Sequence, residues 1–302
     1  MLTIEGRVTG AQPGQRIVLF AKSEGWWVQP EFDRPFTAIR KDNTWVSPTH
    51  LGTEYAAALV TPDYRPPLSF ETLPVAGGSI VAIASIGGDR SKQAVHNTVH
   101  FGGYDWDVRA APNDRGGRNL YDPANAFTDE KQALHLRIAG TPGSFTCAQI
   151  ILRRSLGYGT YRFVVRDISQ LEPAAVLAMY TWEAASGEQN HREMDIEISR
   201  WGELRAPNAR YVLQPGWIES NTVTFAAPGG VLTHLLEWTP GKAVFRTLRG
   251  ENGPLVFTRV FTSGVARPGD EKLRINFYDF QRGPTRLEHG AEVVIESFEF
   301  FP

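Results

Sequence analysis

One stretch limits the fold more than any other: His191-Arg192-Glu193-Met194-Asp195-Ile196-Glu197-Ile198-Ser199-Arg200-Trp201. Side chains on a β-strand alternate between its two faces. With that period Met194, Ile196 and Ile198 share one face. Glu193, Asp195 and Glu197 share the other, in line with His191 and Ser199. The segment therefore backs onto a core and presents a row of carboxylates in front. Folding preference alone does not produce this. Asp and Glu are depleted in strands, and like charges at neighbouring same-face positions repel. Such a conflict is expected where function overrides folding.

The rest of the chain obeys the same period. No stretch sustains apolar residues at i, i+3, i+4 and i+7, so no sizeable helix is expected. Within residues 1–92 the strand-like runs are Leu2 to Val8, Arg16 to Ala21, Trp26 to Val28, Tyr55 to Val60 and Ile80 to Ile86. Asp42-Asn43 and Pro62-Asp63 read as turns. This segment is expected to be a small immunoglobulin-like or transthyretin-like β-sandwich with an accessory or carbohydrate-binding role. Its adjacent Trp26 and Trp27 must face opposite ways, so at least one belongs to the core. Gly87 to Gln93 carries two glycines and then charge, with no apolar residue, and reads as a linker. The boundary is placed near residue 95, with a second β-domain over 96–302.

The chemistry that suits the acid row is cleavage of a glycosidic bond. A retaining glycosidase needs a carboxylate nucleophile and a carboxylic acid donor about 5–5.5 Å apart. At a rise of roughly 3.3 Å per residue the Cα atoms of Glu193 and Glu197 lie about 13 Å apart, and two Glu side chains leaning together close much of that gap. Asp195 between them is placed to hydrogen-bond one and to raise the proton affinity of its neighbours. Which Glu attacks is not decided by this reasoning.

Glu193-Met194-Asp195-Ile196-Glu197 resembles the E-x-D-x-E signature of the family-16 glycoside hydrolases. Further segments resemble that family in order. They are Val99 to Trp106 as the opening strand, Leu134 to Ile138, Leu156 to Phe163, Leu177 to Trp182, and the Leu236-to-Pro240 and Val244-to-Arg246 hairpin. Arg274 to Tyr278 and the closing strand Val293 to Phe301 complete the set. The resemblance implies an all-β fold, a concanavalin A-like β-jelly-roll sandwich over residues 98–302. It implies Glu193 as nucleophile, Asp195 as assistant and Glu197 as general acid/base. The motif has the shorter form, without an inserted residue or bulge, as in mixed-linkage β-glucanases and xyloglucan-acting enzymes. Ser199-Arg200-Trp201 departs from the residues common after the motif, so the substrate is less well defined than the reaction.

A jelly roll offers one concave sheet as a groove in which aromatic rings stack on sugars. Trp182 and Trp201 are the leading candidates, with Tyr158, Tyr211, Trp217 and Tyr278 behind them. Gln214 and Asn276 are expected to offer amides to sugar hydroxyls, and His191 to adjoin Glu193. Trp238 is assigned to the core.

The 302 residues carry a net charge of −2 with a pI near 6.4, which points to neither nucleic acid nor an anionic membrane as partner. The single cysteine, Cys147, allows no intrachain disulfide and reads as a small buried residue on a strand. No apolar run approaches a membrane span. There is no G-x-S-x-G elbow and no phosphate loop. Three in-line acids on one strand seldom wrap a cation, so no metal is expected at the motif, although the family resemblance leaves room for a structural Ca²⁺ elsewhere. The expectation is a monomeric, retaining endo-β-glycosidase that hydrolyses a β-1,3 or mixed-linkage β-1,3-1,4 glucan. The expected location is extracellular or periplasmic, with the leader left off the sequence, and the alternative is the cytoplasm. The alternatives are a lectin-like polysaccharide-binding protein without catalysis, and a β-glucan transglycosylase.

Overall fold

The computed structural model describes residues 2–23, 25–29, 34–49, 54–67, 69–87, 97–110, 119–184 and 187–302. Among them, nearly every segment with an alternating or continuous apolar pattern is a strand. Helical structure is confined to short 3₁₀ turns at Pro123–Asn125, Gly187–Arg192 and Glu219–Asn221. Among the described residues no helix is long and apolar enough to cross a membrane. The chain divides into two units, one built on Met1–Ala94, the other on Val95–Ala110 and Asn119–Pro302. The expected linker, apart from Gly87, and the boundary near residue 95 lie outside the described residues.

The first unit contains β1 (Leu2–Arg7), β2 (Arg16–Ser23), β3 (Gly25–Gln29), β4 (Phe36–Thr37), β5 (Thr44–Thr49), β6 (Glu54–Val60), β7 (Ser69–Phe70) and β8 (Ile80–Gly87). One sheet pairs β1 with β5. The other runs β7-β3-β2-β6-β8, with β4 also on β2. β2 is apolar at successive positions because both of its faces are covered. Val18 and Phe20 pack with Trp26, Val28 and Val60, while Ile17 and Leu19 pack with Trp45 and Leu59. Ile4 of β1 lies against the second set, so the small sheet covers β2 and the unit is a sandwich. Trp26 is buried and Trp27 half-buried, as alternation requires of adjacent residues.

The second unit contains β9 (Asn97–Phe101), β10 (Tyr104–Val108), β11 (Leu120–Tyr121), β12 (Ala126–Thr128), β13 (Leu134–Ile138), β14 (Thr146–Leu152), β15 (Gly159–Val165), β16 (Ala175–Trp182), β17 (Met194–Ile198), β18 (Ala209–Leu213), β19 (Thr222–Phe225), β20 (Leu232–Thr239), β21 (Lys242–Arg249), β22 (Leu255–Phe261), β23 (Lys272–Asp279) and β24 (Ala291–Phe301). A nine-stranded sheet runs β19-β18-β17-β16-β23-β14-β10-β9, with β11 beside β14. A seven-stranded sheet runs β12-β13-β24-β15-β20-β21-β22. Successive strands change sheet repeatedly, and the result is an all-β jelly-roll sandwich.

The core lies between the two sheets. Met179, Met194, Ile196, Ile198, Tyr211 and Phe277 project into it from the larger sheet. Tyr161, Phe163, Leu236, Trp238, Phe245 and Phe298 project from the smaller one. Trp238 is fully buried, as expected. Burying a side chain of this size stabilises by about 1.5–3 kcal/mol, so the sandwich is fixed by this apolar face and the opposite face is left for polar groups. Cys147 is buried on β14, and its burial pushes the thiol up to about 12.

One sequence expectation is corrected here. Val99 to Trp106 is not a single opening strand but a hairpin, with Phe101 paired to Tyr104 across Gly102-Gly103. Both glycines have positive φ, +59° and +78°. A two-residue hairpin turn of the favoured twist needs positive φ at both positions. At Gly102 a Cβ would also stand 2.6 Å from the Phe298 carbonyl oxygen, so only glycine fits.

Candidate active site

β17 lies inside the nine-stranded sheet, and its pairing on both sides runs without a shift. Toward β16, Glu197 faces Ala178 and Asp195 faces Tyr180. Toward β18, Glu197 faces Arg210 and Asp195 faces Val212. Pairing continues one residue before the strand, because the Gln214 backbone N–H donates to the Glu193 carbonyl at 3.1 Å. The alternation therefore carries Glu193 onto the face of Asp195 and Glu197, away from the core that takes Met194, Ile196 and Ile198. The absence of a bulge agrees with the short form of the motif.

The row of acids is close to closed off from water: Glu193 is 8% exposed, Asp195 4% and Glu197 9%. Burying a carboxylate is costly unless it is paired and hydrogen-bonded. The neighbouring strands supply those partners. Gln214 Nε2 donates to Asp195 Oδ2 at 3.1 Å, and Gln214 Oε1 accepts from the Gly216 N–H at 2.7 Å, which fixes the amide. Arg210 Nε donates to Glu197 Oε2 in an ion pair. Burial alone would pull the Arg210 guanidinium down. The charges of Glu197 and Asp195, with the hydrogen bond that Arg210 donates to Glu197, outweigh it and hold Arg210 above its ordinary value.

A second polar line crosses the same face. On β23, Asn276 shares this face by register with Ala178. Its Nδ2 donates to Tyr180 Oη at 3.0 Å, and its Oδ1 accepts from Gln149 Nε2. Gln149 Nε2 also donates to Tyr180 Oη at 3.0 Å, and Arg109 Nη1 donates to Gln149 Oε1 at 2.9 Å. Tyr180 accepts from two amides, which leaves its own hydroxyl hydrogen to donate. It stands at the register position facing Asp195.

The segment before the acids is held in an unusual conformation. Asn190, His191 and Arg192 all have positive φ, +50°, +59° and +51°. Consecutive non-glycine residues in this region store strain, of order 1–3 kcal/mol each, and persist only where their surroundings over-determine them. Here the restraints are visible. His191 Nδ1 lies 2.8 Å from the Glu183 carbonyl oxygen, and the Glu183 N–H returns to the His191 carbonyl at 2.8 Å. The His191 ring stacks on Trp182, with centroids 4.2 Å apart. Arg192 binds Glu183 and the Arg267 carbonyl.

Several sequence expectations change accordingly. His191 is not in line on the acid strand; it lies in the turn before β17 and packs on Trp182. Trp182 does point to the acid side, but His191 covers its ring and only 3% of it is exposed, so it props the turn and offers no open stacking face. Tyr211 is a core residue. It faces Ile196, stacks on Phe245, and its hydroxyl meets Thr247 Oγ1, which in turn lies 2.9 Å from His234 Nδ1. Tyr158 packs edge-on against buried Trp238 and belongs to the core margin. Trp201 is brought to the site through Arg210, whose guanidinium carbon lies 4.1 Å from its ring centroid. Gln214 and Asn276 are on the acid face, as expected, yet their amides are engaged by Asp195, Tyr180 and Gln149. Trp217 is 85% exposed on the loop that follows Gln214.

Arg210, Tyr180, Gln149 and Arg109 were not anticipated. The signal was present for some of them. Tyr180 shares parity with Trp182, and Arg210 shares parity with Gln214. Among the described residues no group of three or more His, Cys, Asp or Glu side chains is arranged to hold a metal ion.

No family model matches the chain, and no curated protein matches it. Solved structures to which it is similar include a β-glucanase of Bacillus licheniformis, at 15% identity and a TM-score of 0.45 over 61% of this chain and 85% of that one. A β-1,3-glucanase from Mycobacterium marinum gives 18% and 0.48 over 65% and 90%. An immunostimulatory antigen and pseudo β-1,3-glucanase of Mycobacterium tuberculosis gives 17% and 0.48 over 61% and 81%.

Proposed function

We propose that this protein is a retaining endo-β-glycosidase acting on a β-1,3 or mixed-linkage β-glucan, of the family-16 glycoside hydrolase type. The observation that carries the reading is the placement of Glu193, Asp195 and Glu197 on one face of an unbulged strand, turned away from the core and held by polar partners. In the proposed cycle Glu193 attacks the anomeric carbon while Glu197 protonates the departing oxygen. Glu197 then takes a proton from the incoming water. Asp195, fixed by Gln214, keeps the two glutamates apart and oriented.

A second reading, a polysaccharide-binding protein without catalysis, is favoured by one feature: Glu197 is already committed to Arg210 in an ion pair, as a purely structural carboxylate would be. A screen of the full chain against purified polysaccharides separates the two, with reducing-end release and retention on insoluble glucan measured together. Hydrolysis that disappears in Glu193→Gln and in Glu197→Gln, while both variants still bind and melt normally, supports the glycosidase. Full activity in Glu193→Gln sinks it. Binding without hydrolysis at any pH supports the second reading.

A further inference from the structure

We propose that Arg210 is a positioning residue that decides which oxygen of Glu197 delivers the proton; this rests on the glycosidase reading above. Arg210 Nε–H points at Glu197 Oε2, and an N–H donor cannot share that lone pair with a proton. In the acid form the carbonyl oxygen is the better acceptor of that bond, so Arg210 favours the proton on Oε1, the oxygen left for the substrate. The guanidinium cannot easily swing aside. Its other side lies on the Trp201 ring at 4.1 Å. Trp201 is itself fixed, with φ at +48° and its backbone N–H donating to Ser199 Oγ at 2.9 Å. Ser199 Oγ also donates to the Pro173 carbonyl at 3.2 Å. Arg210 is therefore clamped between a carboxylate and an aromatic face, a geometry that a flexible ammonium does not reproduce.

The step it serves balances as follows. The Glu197 Oε1–H bond breaks and the proton passes to the glycosidic oxygen. The bond from that oxygen to the anomeric carbon breaks, and its electron pair stays on the oxygen. The Glu193 carboxylate forms the new bond to carbon. The arginine neither gains nor loses a proton. It holds Glu197 at one edge, so that the other edge meets the leaving oxygen.

Leaving-group dependence tests this. A sugar leaving group needs a proton, whereas dinitrophenolate does not. The probes are soluble β-1,3 and mixed-linkage glucans, and 2,4-dinitrophenyl β-glycosides of the matching gluco-oligosaccharides. In Arg210→Met, kcat/KM on the polysaccharide is expected to fall about 100-fold, within the range for mispositioned general acids, while dinitrophenol release in the first turnover falls less than about threefold. Arg210→Lys, which keeps an N–H donor, recovers part of the polysaccharide rate. Adding Arg210→Met to Glu197→Gln costs no more than about twofold, because the arginine acts only through that carboxyl. Equal losses on both substrates, or no loss on the polysaccharide, overturn the proposal. Should Arg210→Met fail to melt like the wild type, the same substrate ratio in Arg210→Lys and Arg210→Gln decides it. A wild type inactive on both probes overturns the glycosidase reading, and this inference with it. That outcome differs from an active wild type whose Arg210 variants show no selectivity for the leaving group.

Discussion

His234 gives the unit that carries the site a calculable acid sensitivity. The residue sits on β20 between the two sheets, fully buried, with Nδ1 2.9 Å from Thr247 Oγ1 and Nε2 without a hydrogen-bond partner among the described residues. Burial pulls the imidazole from 6.5 down to about 4. Charging a group in such a place is opposed by desolvation. The sign follows from linkage. Between 6.5 and about 4 the unfolded chain binds a proton that the folded chain refuses, so stability is full above pH 6.5 and is lost as pH falls toward 4. At about 1.4 kcal/mol per pH unit the whole gap amounts to about 3 kcal/mol, of which about 2 kcal/mol is lost between pH 7 and pH 5. The perturbation is His234→Gln, which is neutral at both pH values and can still bond Thr247. Urea unfolding of wild type and variant at pH 7 and pH 5, followed by near-UV circular dichroism, isolates the effect, since the other titrating groups cancel in the difference. The wild type should lose about 2 kcal/mol more than the variant over this interval. Equal losses would refute a neutral, buried His234.

Three further outcomes are expected. Proton NMR of the first product from a β-linked glucan, read before mutarotation, should show the β-anomer; an α-anomer would overturn the two-glutamate assignment and imply that a water stands between the acids. A chain starting at residue 95 should fold and hydrolyse short soluble glucans, since the unit it retains has a core of its own; a folded but inactive product would mean that the first unit completes the site. Cys147, with its thiol pushed up to about 12 by burial, should react with Ellman's reagent at pH 8 only in denaturant, and rapid labelling of the native protein would contradict the placement of β14.

The acid strand was legible because it is an isolated amphipathic alternation: apolar and ionised residues on one strand cannot both face the core. The same logic made Trp238 a core residue and forced Trp26 and Trp27 apart. It failed on Ala209 to Leu213, where Ala209, Tyr211, Val212 and Leu213 are all apolar or aromatic and the pattern does not say which parity faces inward. Naming both Tyr211 and Gln214 as groove residues was inconsistent on an unbroken strand, because residues three apart face opposite ways. The hairpin at Gly102-Gly103 had a readable signal, a glycine pair between alternating segments, that the likeness to a single opening strand obscured.

What the sequence determined by itself was parity: which side chains along one strand share a face, and hence that Glu193, Asp195 and Glu197 stand together in front of a core. What only the tertiary structure decided was register and neighbourhood. Arg210 stands against Glu197, Tyr180 against Asp195 and Asn276 beside Gln149 because β18 and β16 flank β17 and β23 and β14 follow β16 in the sheet. β16 and β18 are the sequence neighbours of the acid strand and β14 and β23 are distant from it, but in every case a slip of one residue would turn their side chains to the other face. Trp182 lost its open ring to His191 for the same reason. The turn that carries His191 is bent by three left-handed residues whose restraints come from Glu183 and Arg267, neither of which shares its strand. Alternation is a property of a single backbone and can be read from composition along it. The partners that hold buried carboxylates are a property of packing between strands, which no single strand encodes.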